Sequence, residues 1–415
     1  MENHKESNAS TGWKVKASQT SNNTFNPIRA IVDGMVITPN SDKEMIALSL
    51  GDPTVFGNFP PPDTAVQGLL DAVTSGKYNG YGPSYGHVEA RAAVADHVTT
   101  DGAVVDKGDV YLSCGCSDAL NMAITVLADR GDNILVPCPG FSLYKTLSIS
   151  QGIDVKLYKC KPEKCWETDL DHMASLIDSR TKAIVVVNPS NPCGSNFSRQ
   201  HICDIIKVAE EHRIPIIADE IYADIVFKNE RFVSCASMSA NVPILSCGGI
   251  AKKFLVPGWR LGWVVVHDRH GIFGTEIRMG LVKLSQRILG PCTLIQGALP
   301  AILSTPKSFH LETIRKLEEN ADYLFNQINA LPGLNPIKPT AAMYMMVGFD
   351  KRHYPEFKDD VAFTERLISE QSVFCLPAKC FEYPNYFRVV LSVPRNKTEE
   401  ACARLKEFCD MHYHP

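Results

Sequence analysis

From about residue 73 to residue 305, short apolar runs alternate with amphipathic stretches, and this pattern limits the fold more tightly than any other feature. The runs are Asp109-Val110-Tyr111-Leu112, Ile134-Leu135-Val136-Pro137, Ala183-Ile184-Val185-Val186-Val187, Pro215-Ile216-Ile217-Ala218, Pro243-Ile244-Leu245-Ser246 and Leu261-Gly262-Trp263-Val264-Val265-Val266. Between them, Ile202, Ile205, Ile206 and Ala209 follow helical spacing behind Ser198 as a cap, and Ala119, Leu120, Ala123, Ile124 and Leu127 form a second apolar helix face. Apolar strands alternating with helices imply a mostly parallel sheet covered by helices on both faces, an α/β fold.

The rest of the chain reads differently. At 415 residues it exceeds the size of one ordinary core, so two domains are expected. Residues 306–415 carry a long helical pattern opening at Thr305-Pro306, strands near Tyr344-Met345-Met346-Val347 and Phe387-Arg388-Val389-Val390, and a final helix from Thr398 with Ala401, Leu405 and Phe408 on one face. This predicts a smaller α+β domain, to which residues 46–72 are assigned, beside a large domain over 73–305. Residues 1–45 are polar except around Phe25 to Val36 and read as an extended arm.

Composition excludes several function classes. With 45% hydrophobic and 21% charged residues the chain is globular in character. A formal charge of −4 without a long basic run excludes nucleic acid and anionic membrane surfaces as expected partners. No apolar run has membrane-spanning length, and Met1-Glu2-Asn3-His4-Lys5-Glu6-Ser7 has no signal core, so a cytoplasmic protein is expected, with a mitochondrial one left open. The fourteen cysteines include no CxxC pair, and Cys247 and Cys375 sit in apolar settings, as reduced thiols do. Cys114 and Cys116 with a distant His fit no structural zinc spacing, so no metal is expected.

In open α/β sheets ligands bind beyond the carboxyl ends of the strands. After Leu112 comes Ser113-Cys114-Gly115-Cys116-Ser117 and a helix, whose free N–H groups suit an anion. After the next run comes Phe141, an aromatic on a stiff turn that suits stacking on a flat ring. After Val187, the prolines of Asn188-Pro189-Ser190-Asn191-Pro192-Cys193-Gly194 hold Asn191 rigidly. Asp219, ending a buried strand, is a natural partner for a protonated pyridine nitrogen, and Tyr222 follows as a phenol donor. Lys252, in the apolar, glycine-rich stretch from Gly248 to Gly262, loses part of its hydration, which leaves a neutral amine able to attack an aldehyde. Arg260, eight residues later, suits a phosphate on the same molecule. Together they point to pyridoxal phosphate.

Those residues and the segments Gly51-Asp52-Pro53-Thr54, Tyr78-Asn79-Gly80-Tyr81 and Cys380-Phe381-Glu382-Tyr383-Pro384 resemble the fold type I pyridoxal-phosphate aminotransferases, from about Phe25 to the carboxyl end. Phe25-Asn26-Pro27-Ile28-Arg29 and Leu284-Ser285-Gln286-Arg287-Ile288-Leu289-Gly290-Pro291-Cys292-Thr293 narrow the resemblance to the tyrosine branch. It implies Lys252 as the cofactor-binding and catalytic lysine, Asp219 at the pyridine nitrogen, and Asn191 with Tyr222 at the phenolic oxygen, under a stacked Phe141. It further implies Gly115, Cys116, Ser117 and Arg260 at the phosphate, with Tyr81 reaching it from the neighbouring subunit of a homodimer. Arg388 would clamp the substrate α-carboxylate, assisted by Gly51 and Asn191, while Asn26 or Arg29 would meet substrate carboxylates. Gly249 and Cys114 stand where many members carry serine. The implied reaction is transamination of L-tyrosine with 2-oxoglutarate to 4-hydroxyphenylpyruvate and L-glutamate. The alternatives are a broad aminotransferase for aromatic, methionine or alanine donors, and a C–S lyase using the same cofactor.

Overall fold

The computed structural model describes residues 13, 15–35 and 37–415. The apolar runs of the central region form one eight-stranded sheet. Its order is Val110–Ser113, Gly262–His267, Ile244–Gly249, Ile216–Asp219, Thr181–Val187, Asn133–Cys138, Asp154–Lys161 and Glu167–Thr168. Neighbours from Ile244–Gly249 through Asp154–Lys161 are parallel. Gly262–His267 runs against both of its neighbours, and Glu167–Thr168 runs against Asp154–Lys161. The sheet is thus mixed around a parallel centre. The strand Asp154–Lys161 left no continuous apolar run in the sequence because it is half-exposed along much of its length.

Successive side chains of a strand point to opposite faces, so burial on both faces demands unbroken apolar sequence. Ala183, Val185 and Val187 pack with Ala119, Leu120 and Ala123 of the helix Cys116–Leu127. Ile184 and Val186 face the other way, toward Ile202, Ile205 and Ile206 of the helix Arg199–His212. Burying each of these larger aliphatic side chains contributes about 1.5–3 kcal/mol before chain entropy is counted. Ser198 caps that second helix as expected, its hydroxyl accepting from His201 N at 3.1 Å.

A second sheet has the antiparallel order Leu334–Pro336, Tyr344–Phe349, Tyr386–Val390, Leu376–Pro377. Its two proline-bearing strands lie at the edges, where a missing N–H breaks no ladder. The helices Lys307–Asn329, Asp360–Gln371 and Arg395–His412 supply Leu317, Leu324, Phe363 and Phe408 to its core, and Phe363 stacks on Phe387 with ring centroids 5.5 Å apart. The last helix begins at Arg395, three residues before Thr398, because Pro394 stands at its cap.

The amino-terminal segment departs from the expected extended arm. Gln19–Asn23 and Pro27–Gly34 are helical, the second capped by Asn26, whose side-chain oxygen accepts from Ile28 N and Arg29 N. The polar run Met1 to Ser7 and Val36 lie outside the described residues. Ile46 and Ala47 pair with Val373 and Phe374, and Ile46 and Leu48 join the core of the second sheet. The helix Asp63–Thr74 packs elsewhere, on Thr293–Leu303; a Cβ on Gly68 would stand 2.6 Å from Ala301 Cβ. Residues 46–72, expected to act together, are therefore shared between two cores. All fourteen cysteines are free thiols. Among the described residues no helix is long and apolar enough to cross a membrane.

Candidate active site

The strands ending at Ser113, Cys138, Val187, Asp219 and Gly249 all finish on one edge of the large sheet. Val110–Ser113 shares that direction because two antiparallel steps through Gly262–His267 restore it. The reversed strand brings its start to the same edge, which sets Arg260 beside the glycine turn after Ser113. Gly115 adopts φ +83° there, and a Cβ on it would lie 2.7 Å from Arg260 Nη2. Arg260 donates to Cys114 O at 3.3 Å and to Pro257 O at 3.1 Å. The first turn of the helix Cys116–Leu127 leaves N–H groups without helical acceptors beside this guanidinium, an arrangement that attracts an anion. Gly249 has no room for a side chain: a Cβ would stand 2.9 Å from Leu261 O.

A cavity of about 390 Å³ opens at this edge. Cys116, Ser117 and Arg260 line it together with Phe141, Asn191, Asp219, Tyr222 and Lys252, and Arg29, Gly51 and Arg388 complete the set drawn from the sequence. Three predicted residues lie off its wall. Gly115 shapes it from behind Arg260, Asn26 caps its helix, and Tyr81 stands 92% exposed on the surface.

Asp219 is buried and triply held. Its Oδ2 accepts from Tyr144 Oη at 2.6 Å, and its Oδ1 accepts from Ile221 N at 3.2 Å and from Cys116 Sγ at 3.6 Å. Burial pushes its carboxyl above the ordinary aspartate range, opposed by these donors and by the Lys252 charge. Lys252 donates from Nζ to Gly51 O at 2.6 Å, whereas adjacent Lys253 turns away to pair with Asp224 at 2.6 Å. Arg388 is buried; it donates to Asn191 Oδ1 at 2.8 Å and to Ser49 O at 2.7 Å, while its Nε has no partner. Burial lowers the pKa of this guanidinium, which stays charged all the same.

Two tyrosines of the wall, Tyr144 and Tyr344, carry no signal of their role in the strand-end pattern. Tyr144 sits three positions after Phe141, in the first turn of the helix Leu143–Ser150 that follows the strand Asn133–Cys138, and that spacing is the available signal. Tyr344 lies inside an apolar run and had none.

Glu220 follows Asp219 but faces the opposite side of the sheet, where its carboxylate accepts from Cys235 N at 2.9 Å and Ser234 Oγ at 3.1 Å. Burial pushes its carboxyl from 4.5 up to about 7. A folded-state value above the unfolded one means that protonation favours folding: this stability is complete below pH 4.5 and is lost as pH rises through 7. Glu220→Gln is therefore expected to gain stability relative to the parent across that window, reaching roughly 2 kcal/mol at pH 8 with partial solvent access allowed for. Urea unfolding at a series of pH values checks this; a pH-independent difference would contradict it.

The profile of the family Aminotransferase class I and II matches residues 43–405. The chain is 57% identical to the tyrosine aminotransferase of Mus musculus over 403 residues, covering 97% of this chain and 89% of the mouse protein. It is 56% identical to the tyrosine aminotransferase of Homo sapiens, with the same two coverages. Among solved structures, the tyrosine aminotransferase from Leishmania infantum is similar with a TM-score of 0.93 at 36% identity, covering 97% of this chain and 100% of that one.

Proposed function

Because the chain belongs to the class I and II aminotransferases, we propose that it transfers the amino group of L-tyrosine to 2-oxoglutarate with pyridoxal phosphate as cofactor. The products are 4-hydroxyphenylpyruvate and L-glutamate. The observation that carries this reading is the convergence of Lys252, Asp219 and Arg388 on one cavity whose far wall is a helix start with Arg260.

The donor set fits the cofactor. Cys116, Ser117 and Arg260 would hold the phosphate, with Gly115 keeping the guanidinium in place by having no side chain. Asp219 would hold the pyridine nitrogen, Phe141 would stack on the ring, and Asn191 with Tyr222 would hold the phenolic oxygen. Bound there, pyridoxal phosphate supplies the ring that accepts the electron pair left when an amino acid loses its α-proton. Lys252 Nζ would hold the aldehyde of the cofactor, and its free amine would serve as the base that takes the substrate α-proton and returns it. Tyr144 and Cys116 orient the Asp219 carboxylate for its partner. Arg388, with one guanidinium nitrogen still free, clamps the α-carboxylate shared by every amino and oxo acid used. Arg29, on the cavity wall, is the residue suited to the second carboxylate of 2-oxoglutarate.

A homodimer is part of this reading, with the partner's Tyr81 completing the phosphate site. Val66, Leu70 and Val73 are exposed at helical spacing on Asp63–Thr74, and Ile288 and Leu289 are exposed apolar residues as well, the kind of surface that a second subunit covers.

The purified protein is expected to show a visible cofactor band. L-tyrosine alone should bleach that band with one equivalent of 4-hydroxyphenylpyruvate, and 2-oxoglutarate should restore it with release of L-glutamate. Equal rates with methionine or alanine would instead favour the broad-specificity alternative. Pyruvate and ammonia released from a cysteine conjugate without any oxo acid would favour the lyase.

A further inference from the structure

Tyr344 belongs to the second sheet, is fully buried, and still reaches the cavity wall formed by the strand ends of the first sheet. Its hydroxyl lies 2.7 Å from the hydroxyl of Tyr222, and the two rings meet edge to face with centroids 5.7 Å apart. The Arg388 guanidinium lies over the Tyr344 ring at 4.3 Å. On the remaining side the hydroxyl fills the space beside Gly51, where a Cβ would stand 2.5 Å from it. Ring and hydroxyl are thus fixed by three separate parts of the chain.

Two phenols at this distance share a single hydrogen bond, and each has one proton to donate. If Tyr222 gives its proton to the phenolic oxygen of the cofactor, only Tyr344 can donate along the contact between them. We infer that Tyr344 is a positioning residue: its hydroxyl donates to Tyr222, directs the Tyr222 proton toward the cofactor, and strengthens Tyr222 as a donor through bond cooperativity. The inference rests on the reading of the cavity as a pyridoxal-phosphate site. It assigns the effect to the hydroxyl alone, because phenylalanine would keep the ring beneath Arg388.

A donor at the phenolic oxygen would stabilise the deprotonated form of the bound cofactor, so the visible band titrates at lower pH with that donor than without it. Weakening that donor moves the midpoint upward. The test is a pH titration of the visible band of the cofactor-loaded protein, read without turnover, in the parent, Tyr344→Phe, Tyr222→Phe and the double variant. Tyr222→Phe should raise the midpoint by roughly one to two pH units, the worth of a charge-assisted bond. Tyr344→Phe should raise it by a few tenths of a unit, on the order expected for cooperative strengthening of one bond by another. Added to Tyr222→Phe, it should change nothing further. Gly51→Ala, which pushes the Tyr344 hydroxyl off Tyr222 without removing it, should reproduce the smaller shift and serves if Tyr344→Phe folds poorly. An unmoved midpoint, or the same shift with and without the Tyr222 hydroxyl, overturns the role of Tyr344. A parent protein with no titrating visible band overturns the cofactor reading instead.

Discussion

Lys252→Ala is expected to abolish the visible cofactor band and to lower transamination by several orders of magnitude. One side chain supplies both the nucleophile that holds the aldehyde and the base that moves the α-proton, and no second amine lines the cavity among the described residues. Lys253 is the internal control. Its ammonium is paired with Asp224, which is largely exposed, so the pair contributes at most about 1 kcal/mol, and Lys253→Ala should retain most of the activity. Absorbance of the two purified variants, followed by single-turnover kinetics with L-tyrosine, separates them. A severe Lys253→Ala defect beside a mild Lys252→Ala one would reverse the assignment.

Arg388→Lys comes second in size. The guanidinium is buried, its two terminal nitrogens are bound to Asn191 Oδ1 and Ser49 O, and its ring contacts are with Tyr344 at 4.3 Å and Phe381 at 5.0 Å. Lysine offers a compact charge that cannot reproduce the planar fork or the stacking. Truncation of a buried, hydrogen-bonded charge costs on the order of 2–5 kcal/mol, roughly 30-fold to 4,000-fold in binding. Since the α-carboxylate is common to both substrates, the loss should fall on L-tyrosine and 2-oxoglutarate alike, and the two half-reactions measured separately will show it. A variant that loses only one substrate would mean that Arg388 reads a side chain.

Much of this was legible because it is written locally. Asp219 ends a strand and Asn191 follows one by four residues, where an apolar run gives way to polar residues, and Ser198 caps its helix through a bond three residues away. The arm reads as extended in sequence because its polarity is visible there and its capping is not: Asn26 followed by proline at the first helical position starts the helix Pro27–Gly34, its side-chain oxygen accepting from Ile28 N and Arg29 N. Residues 46–72 read as one segment in sequence, yet Ile46 pairs with Val373 while Gly68 packs on Ala301, contacts that no local pattern encodes.

By itself the sequence determined the α/β class, the strands with both faces buried, and the residue types gathered at their ends, because alternation, caps and turns act over a few residues. Only the tertiary structure decided that Gly262–His267 runs backwards through the sheet and thereby carries Arg260 to the helix start at Cys116. It alone joined Tyr144 to Asp219 and Tyr344 to Tyr222, pairs separated by 75 and 122 residues. Such contacts are set by how whole layers pack, and a buried tyrosine in an apolar strand looks the same in sequence whether its hydroxyl meets a carbonyl or completes a site.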